Sequence, residues 1–385
     1  MECPLHLYTS IIRYVKIEIR KNQRSLIMDK QLEMLKDLTD VNGIAGFEAD
    51  VKQKVKTYLE PISDEIIEDN LGGVFGKKTA KSGSKTILVG GHLDEIGFMV
   101  TEIDKDGFLK FSPVGGWWNQ VMLSQRMNVT TAKGDVITGV IGSKPPHVLE
   151  AAERKKPVDI KDMFIDIGVA SKEEAEDAGV ELGSMVTPYT EFTVMQNKDY
   201  LLAKAWDNRF GTALSIDLLK DLKDQDLNIN LVSGASVQEE VGLRGAKVAA
   251  NKVKPDLAIA VDVGLAMDTP GMQSSNGSGK LGDGPLLLLL DGSNIGHVPF
   301  RRHIQKLAKE KNIPVQLQAI PGGGTDAGSF HVSNDGVPSV AIGVPLRYMH
   351  SNVSIMHRED YKNAVKLVSE IVKSLDDNKV EEIIW

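Results

Sequence analysis

Residues 204–211, Lys-Ala-Trp-Asp-Asn-Arg-Phe-Gly, decide how the rest of the chain is interpreted. They open an apolar pattern in which Phe210, Leu214 and Leu218 recur at helical spacing. Taken alone, Asp207 is typical of a helix N-cap, whose carboxylate accepts a hydrogen bond from the first turn. Acidic and histidine residues elsewhere in the chain follow apolar strands, and we expect these residues to converge on Asp207.

Composition limits the class of protein. The chain has 385 residues, of which 42% are apolar and 25% charged, as in an ordinary globular protein of two or three domains. The net charge of −8 disfavours a nucleic-acid partner. Because Cys3 is the single cysteine, a disulfide framework and a thiolate metal cluster are excluded, and a cytoplasmic location is expected. No apolar run approaches the roughly 18 residues of a membrane span.

The N-terminus differs from the rest of the chain. Residues 1–27 are rich in Lys and Arg and lack the apolar centre of a secretory signal. A clean amphipathic helical pattern begins only after Met28. We therefore expect Met28 to be the natural start, and residues 1–27 to be a disordered or loosely attached N-terminal extension.

Helical and strand patterns alternate along most of the chain. Helical spacing predicts helices over residues 30–41, 49–59, 208–222, 242–250, 299–312 and 359–375, and apolar β-branched runs predict strands over 86–89, 229–233, 257–263, 315–320 and 337–344. Between them, short strand-like runs separated by turns fill residues 97–194. The pattern predicts an α/β fold, with a mostly parallel sheet sandwiched by helices of residues 28–96 and 195–385, and an inserted β-rich domain.

Candidate metal ligands follow the predicted strands. They are His92, the pair Glu239 and Glu240, Asp262 and His350, with Asp207 at a helix start. Each has an ordinary explanation by itself, although Asp262 lies in an apolar run where an unpaired carboxylate is costly to bury. Because open α/β sheets bind ligands beyond the carboxyl ends of their strands, we expect these side chains to meet at one edge.

The residue types indicate the chemistry. Two imidazoles and three carboxylates without sulfur suit Zn, Co or Mn, and two ions roughly 3.5–4 Å apart need a bridging group. On an extended backbone Glu239 and Glu240 point in different directions, so one is predicted to be a ligand and the other a general base. Spacing leaves open which is which. Asp94, two residues after His92, suits a supporting role beside that imidazole.

Six motifs stand in order along the chain. They are residues 91–97 (Gly-His-Leu-Asp-Glu-Ile-Gly), 205–209 (Ala-Trp-Asp-Asn-Arg), 237–242 (Val-Gln-Glu-Glu-Val-Gly), 261–264 (Val-Asp-Val-Gly), 324–327 (Gly-Thr-Asp-Ala) and 347–351 (Arg-Tyr-Met-His-Ser). From about residue 28 to the end, the chain resembles the tetrahedral (TET) metallo-aminopeptidases, and most of all the glutamyl aminopeptidases of streptococci and lactococci.

The resemblance implies a role for each candidate residue. Asp207 would bridge two divalent ions, His92 and Asp262 would complete one metal site, and Glu240 and His350 the other. Glu239 would be the general base, with Asp94 supporting His92. The insertion, residues 97–194, would be a PDZ-like oligomerisation domain that builds a hollow dodecamer from dimers. The substrates would be small peptides with a free N-terminus, preferentially beginning with Glu or Asp.

Substrate choice and reaction class have alternatives. An acidic first residue needs a cation in the pocket, and Lys280, Arg244, Arg301 and Arg347 are the candidates. The glycine run 322–324 lacks the Lys-Ser/Thr of a phosphate-binding loop and is predicted to close the site. The alternatives are a broad-specificity leucyl-type aminopeptidase of the same family, a two-metal hydrolase of another bond, and a non-catalytic assembly protein of the same fold.

Overall fold

The computed structural model describes residues 29–272 and 279–384. The expected extension over residues 1–27 lies outside the described residues. Helices in the described ranges are α1 (Lys30–Asp40), α2 (Ala49–Leu59), α3 (Lys172–Asp177), α4 (Trp206–Leu222), α5 (Arg244–Val253), α6 (Val298–Glu310), α7 (Ala327–His331), α8 (Arg358–Lys373) and α9 (Asp377–Ile384). Within the same ranges, no helix is both long and apolar enough to cross a membrane.

Strands of the described ranges form two sheets and a barrel. In chain order they are β1 (Glu65–Glu68), β2 (Val74–Lys78), β3 (Thr86–His92), β4 (Gly97–Ile103), β5 (Leu109–Val114), β6 (Arg126–Thr130), β7 (Val136–Gly142), β8 (Phe164–Asp166), β9 (Met185–Pro188), β10 (Thr193–Val194), β11 (Tyr200–Ala203), β12 (Asn230–Ser236), β13 (Leu257–Leu265), β14 (Leu286–Leu290), β15 (Gln316–Ala319), β16 (Ser339–Leu346) and β17 (Ser354–His357).

The main sheet has eight strands in the order β1-β2-β12-β3-β13-β16-β14-β15. Its four central strands, β12, β3, β13 and β16, run parallel to one another. Towards the edges, β1 pairs with β2, β2 with β12, and β14 with β16 in antiparallel fashion. The α/β prediction is confirmed, but the sheet is mixed, because β2 at one flank and β14 and β15 at the other run antiparallel to the central strands.

Helices cover both faces of this sheet. Along β3, Ile87 and Val89 join one apolar cluster, while Leu88 joins a second one, since neighbouring strand residues face opposite sides. The first cluster contains buried residues of α1, α2, α4, α6, α8 and α9, and the second those of α5 and α7. The predicted layer of helices on each face is therefore present, and it leaves the carboxyl ends of the central strands for a site.

Between β3 and β10 the chain forms a closed barrel with strand order β4-β5-β8-β7-β6-β9. The barrel has its own core, which includes Phe98, Leu109, Met127 and Ile165. The predicted β-rich insertion is thus a six-stranded barrel. Its PDZ-like assignment and the proposed boundaries at residues 97 and 194 stay predictions.

Candidate metal centre

Strand register brings the first candidate ligands to one edge of the sheet. His92 is the last residue of β3 and pairs with Ser236, the last residue of β12. On the other side, Gly90 of β3 pairs with Ala260 of β13, two residues before Asp262. Because all three strands are parallel, His92, Asp262 and the segment after Ser236 meet at the same edge, as the sequence predicted.

Asp207 lies between two histidines. One carboxylate oxygen, Oδ1, is 3.3 Å from Nε2 of His92, and the other, Oδ2, is 3.4 Å from Nε2 of His350. Its backbone (φ −82°, ψ 104°) is not helical, although it falls within α4, and Ala205 before the helix is left-handed with φ 55°. Because the backbone is irregular at the start of α4, the carboxylate points towards both imidazoles. The side chain of a simple N-cap would instead accept a hydrogen bond from the first turn of the helix.

The carboxylates of Glu239, Glu240 and Asp262 surround this arrangement. Glu239 Oε2 is 3.7 Å from Nε2 of His92, and Glu240 Oε2 is 3.6 Å from Nε2 of His350. Ligand atoms of His92, Glu239 and Asp262 all lie within 4.8 Å of one another, as do those of His92, Asp207 and Glu240. The two adjacent glutamates therefore face different histidines and line the same cavity, which agrees with different roles for them.

These residues fit divalent metal ions. The donors are imidazole nitrogens and carboxylate oxygens, the set expected for Zn, Co or Mn. Oε1 of Glu240 is buried and has no hydrogen-bond partner among the described residues. A buried oxygen without a donor is costly, and a cation at this point would remove that cost.

Asp94 supports the cluster from behind. Its side chain is fully buried, and its two oxygens accept hydrogen bonds of 3.1 Å from the backbone N–H groups of Glu239 and Glu240. The same carboxylate lies 3.4 Å from Nδ1 of His92. The sequence predicted only the contact with His92. One aspartate thus fixes three of the candidate side chains.

Several candidate ligands have raised pKa values in the metal-free site and therefore bind protons more readily than usual. Burial, with the nearby Asp207 carboxylate, raises the pKa of Glu240 to about 8. Burial also raises the pKa of Glu239 and of Asp262 well above the usual range. Burial alone would lower the pKa of His350, but the carboxylates of Asp207 and Glu240 outweigh it and raise that pKa to about 9. Divalent cations would replace these protons.

Asp326 is a further buried carboxylate at this site, and no role was predicted for it from the sequence. Its Oδ2 accepts a 2.5 Å hydrogen bond from the Ser236 hydroxyl, while its Oδ1 is buried without a partner among the described residues. Burial raises its pKa to about 6. Asp326 belongs to the motif of residues 324–327, and that motif was the sequence signal from which a role at the site could have been predicted.

A cavity of about 580 Å³ opens beside the candidate ligands. Asp207, Glu239, Glu240, Asp262 and His350 contribute to its wall. The glycine run 322–324 also lines it, in keeping with the predicted loop beside the site. The other lining side chains are mainly apolar: Leu243, Val263, Leu265, Leu288, Ile320 and Met349.

The candidate cations for an acidic substrate lie elsewhere. None of the four is among the residues that line the described cavity. Each has another partner: Lys280 binds Asp283, Arg347 binds Asp268, Arg301 donates to the carbonyl of Leu289, and Arg244 donates to the side chain of Gln238.

Sequence comparison relates this chain to known peptidases. The family described as M42 glutamyl aminopeptidase matches residues 72–367. The chain is 37% identical to a glutamyl aminopeptidase of Lactococcus lactis, over 91% of this chain and 98% of that protein. It is 33% identical to a lysyl aminopeptidase of Pyrococcus furiosus, over 89% and 97% of the two chains.

Solved structures of aminopeptidases have the same fold as this chain. A TET aminopeptidase from a marine sediment thaumarchaeon superposes with a TM-score of 0.90 and 43% identity, covering 92% of this chain and 99% of that chain. The TET1 peptidase of Pyrococcus horikoshii, which can assemble into a tetrahedron or a large octahedral shell, gives 0.80 and 33%, covering 90% and 100%.

Fold, motifs and relatives define one class, the aminopeptidases. Within that class, this chain belongs to the M42 glutamyl aminopeptidase family. The predicted resemblance to the TET aminopeptidases is confirmed.

Proposed function

We propose that this protein removes N-terminal residues from small peptides at a centre of two divalent metal ions, with Zn or Co favoured and Mn as the alternative. The observation that carries the proposal is the position of Asp207, whose two oxygens face His92 and His350 at 3.3 and 3.4 Å. One carboxylate between two imidazoles is the arrangement that a bridging ligand requires.

We assign the roles that the family resemblance implies, and the contacts of Asp207 support them. Asp207 would serve both ions, His92 and Asp262 would hold one, and Glu240 and His350 the other. When bound, two such ions supply Lewis acidity to a peptide carbonyl and to a water molecule. The backbone N–H groups that donate to Asp94 keep the two glutamates in place for this task.

Glu239 is proposed as the general base. Its carboxylate lines the cavity and lies 3.7 Å from Nε2 of His92, and the roles assigned above do not use it as a ligand. Burial raises its pKa well above the usual range, and a raised pKa makes the carboxylate a stronger base for a proton of water. The same residue can then return the proton to the leaving amine.

Substrate preference has two candidates. The Lactococcus relative is a glutamyl enzyme, which supports the expected preference for Glu and Asp. The cavity supports the leucyl-type alternative, because its lining is mainly apolar and includes none of the candidate cations. Asp291 in the same wall adds a carboxylate, which accepts hydrogen bonds from Ser293, Asn294 and Thr325 and would repel an acidic side chain.

A substrate panel tests both the reaction and the preference. Leucyl, glutamyl and lysyl 4-nitroanilides would be compared with N-acetyl-leucyl 4-nitroanilide, with Zn, Co or Mn added and with a chelator. We expect hydrolysis only of the free amines and loss of activity with the chelator. Hydrolysis of the acetylated substrate, or none of any substrate with any metal, would contradict the proposed activity. The ratio of kcat/KM for the leucyl and glutamyl substrates decides between the two preferences.

We further propose that the chain assembles through the barrel, as dimers that form a dodecamer. The TET1 relative, at 33% identity over 90% of this chain, can assemble into a tetrahedron, which supports this proposal. In such a particle the subunits would enclose the sites and limit access to short peptides.

A further inference from the structure

A loop of the barrel rests against one candidate ligand. Residues 115–118, Gly-Gly-Trp-Trp, follow β5. A Cβ atom added to Gly116 would lie 2.9 Å from Nδ1 and 3.3 Å from Cε1 of His350, and these are the two heavy atoms within 4 Å of it. The polar backbone of Gly116 is also close enough to this imidazole to help raise its pKa. Glycine at this position therefore leaves the space that the ring occupies.

The preceding glycine contacts the same half of the centre. Gly115 has φ +87°, and a Cβ added there would lie 3.2 Å from Oε2 of Glu240. Glu240 and His350 approach each other at 3.6 Å, and both belong to the proposed second metal position. The two glycines thus present bare backbone to the two side chains that complete this position with Asp207.

The core of the barrel fixes the loop. The ring of Trp117 stacks on Phe98, with 4.5 Å between the ring centroids and 27° between the planes. Its Nε1–H donates a 3.1 Å hydrogen bond to the carbonyl of Gly97. Gly97 in turn pairs with Val114, the residue before the glycines. The position of Gly116 is therefore tied to the barrel by packing and by two strands.

His350 needs such a support more than His92 does. The side chain of His350 is 39% exposed, whereas that of His92 is 1% exposed. Nδ1 of His92 is 3.0 Å from the carbonyl and 3.4 Å from the carboxylate of Asp94. In the described ranges, no carboxylate forms a corresponding contact with Nδ1 of His350, and it is the backbone of Gly116 that lies against this side of the ring. Partners of this kind fix the ring orientation of a ligating histidine.

We propose that Gly116 and Trp117 are positioning residues, through which the barrel sets the orientation of His350 and hence the affinity of the metal position formed by Asp207, Glu240 and His350. This inference rests on the proposed two-metal centre. It makes the barrel part of the active site in each subunit, in addition to its proposed role in assembly.

Metal titration of the metal-free protein tests the proposal without using activity. Isothermal titration calorimetry with Co²⁺ or Zn²⁺ should show two ions per subunit in the unchanged protein. In Gly116→Ala, the added Cβ would lie 2.9 Å from Nδ1 of His350 and displace the ring, so one ion should bind with unchanged affinity and the second about 10–100-fold more weakly, the usual effect of disturbing the orientation of a ligating histidine. Equal weakening of both ions, or two ions with unchanged affinities, would overturn the proposal.

Two neighbouring tryptophans provide a matched control. Trp117→Ala removes the anchor of the loop and should weaken the same ion selectively. Trp118 is 58% exposed, so Trp118→Ala should leave both affinities unchanged. The same effect in both variants would refute the role of Trp117. If the unchanged protein binds fewer than two ions, the two-metal proposal itself fails, and this result is distinct from a variant that binds both ions normally.

Discussion

Asp207 is the residue on which the candidate centre depends. Each of its oxygens faces one imidazole, so its removal affects both halves of the centre. We predict that Asp207→Ala loses both metal ions, measured by inductively coupled plasma mass spectrometry after gel filtration. The control is Ser171→Ala, which removes the side-chain N-cap of α3. There the Ser171 hydroxyl accepts a hydrogen bond from the N–H of Glu174. That variant should cost about 1 kcal/mol of stability and no metal. An Asp207→Ala protein that retains two ions would contradict the bridging role.

A substitution at Glu239 distinguishes catalysis from metal binding. Because Asp207, Asp262 and His92 complete the first metal position in our assignment, Glu239→Gln should keep the metal content and lose almost all turnover. The measurement is kcat with the best nitroanilide, together with metal analysis of the same sample. Glu176→Gln in α3, outside the candidate centre, serves as the control and should behave like the unchanged protein. Substantial kcat in Glu239→Gln would reject the general-base assignment.

The raised pKa values predict how metal affinity depends on pH. Without metal, His350 has a pKa of about 9 and Glu240 one of about 8, so below these values an ion must displace protons in order to bind. Affinity should therefore fall as the pH is lowered from about 8.5 to about 6, and binding at neutral pH should release protons. Calorimetry in two buffers of different ionisation enthalpy measures the release. An affinity that is constant over this range would contradict the prediction.

At the scale of elements, a buried ion pair joins the segment after β3 to the start of α4. Lys204 and Glu95 are 3% and 1% exposed, and Nζ of Lys204 donates a 2.5 Å hydrogen bond to the Glu95 carboxylate. The guanidinium of Arg209 lies 3.6 Å from the same carboxylate and donates to the carbonyls of Leu38 and Leu93. These contacts hold α1, β3 and α4 together directly behind the candidate ligands.

Breaking this pair from one side should destabilise the protein strongly. Lys204→Met removes the nearer of the two cations beside the buried Glu95 carboxylate and leaves only Arg209 at 3.6 Å, and we expect a loss of about 3 kcal/mol in the free energy of unfolding. Urea denaturation of the metal-free protein measures it. The double variant Glu95→Gln/Lys204→Met should lose less, since both members of the close pair are removed and Arg209 keeps its hydrogen bonds to the carbonyls of Leu38, Val41 and Leu93. As a control, Lys105→Met removes an exposed partner of Asp106 and should not change the midpoint. Equal losses in the single and double variants would disprove the argument.

The sequence predicted the elements that hold the site better than the contacts between them. Asp262 was identifiable because a carboxylate inside an apolar strand calls for a charged partner, and His92 because it ends a strand in a parallel pattern. By contrast, Asp94 reaches backbone groups 145 and 146 residues away, and Arg209 reaches the carbonyl of Leu38 171 residues away. Such pairs have no periodic signal, because the folded topology alone brings them together.

The barrel shows the same limit at the scale of the fold. Alternating residues and turn signals indicated a β-rich segment, yet closure depends on pairings such as β4 with β9, which are distant in the chain. The approach of Gly116 to His350 joins two such distant segments. A single sequence therefore identified the type of this insertion and most of the candidate ligands, but not how the insertion meets the site.

At the scale of the whole molecule, exposed apolar residues of the barrel domain are relevant to assembly. Val136 and Val140 of β7 are 52% and 40% exposed, and Val148 and Leu182 are exposed to 61% and 65%. Val136 and Val140 are four residues apart on one strand and so share a face. Exposed apolar side chains on one face of a strand, such as Val136 and Val140, are found at protein–protein contacts. They agree with the proposed assembly through the barrel.

We predict that the double variant Val136→Lys/Val140→Lys separates the proposed dodecamer into smaller species. Two charges on the apolar face would have to be buried without partners in the assembled particle, which is costly. Size-exclusion chromatography with light scattering measures the mass, with the 42.0 kDa subunit as reference. Leu71→Lys, at a 43% exposed position in the turn between β1 and β2, is the matched control and should keep the assembled mass.

The dissociated variant should retain two metal ions per subunit, because the contacts of Gly116 and Trp117 with the centre lie within one chain. An unchanged mass in the double variant would show that β7 is not the contact, and a 42.0 kDa mass for the unchanged protein would refute the assembly itself.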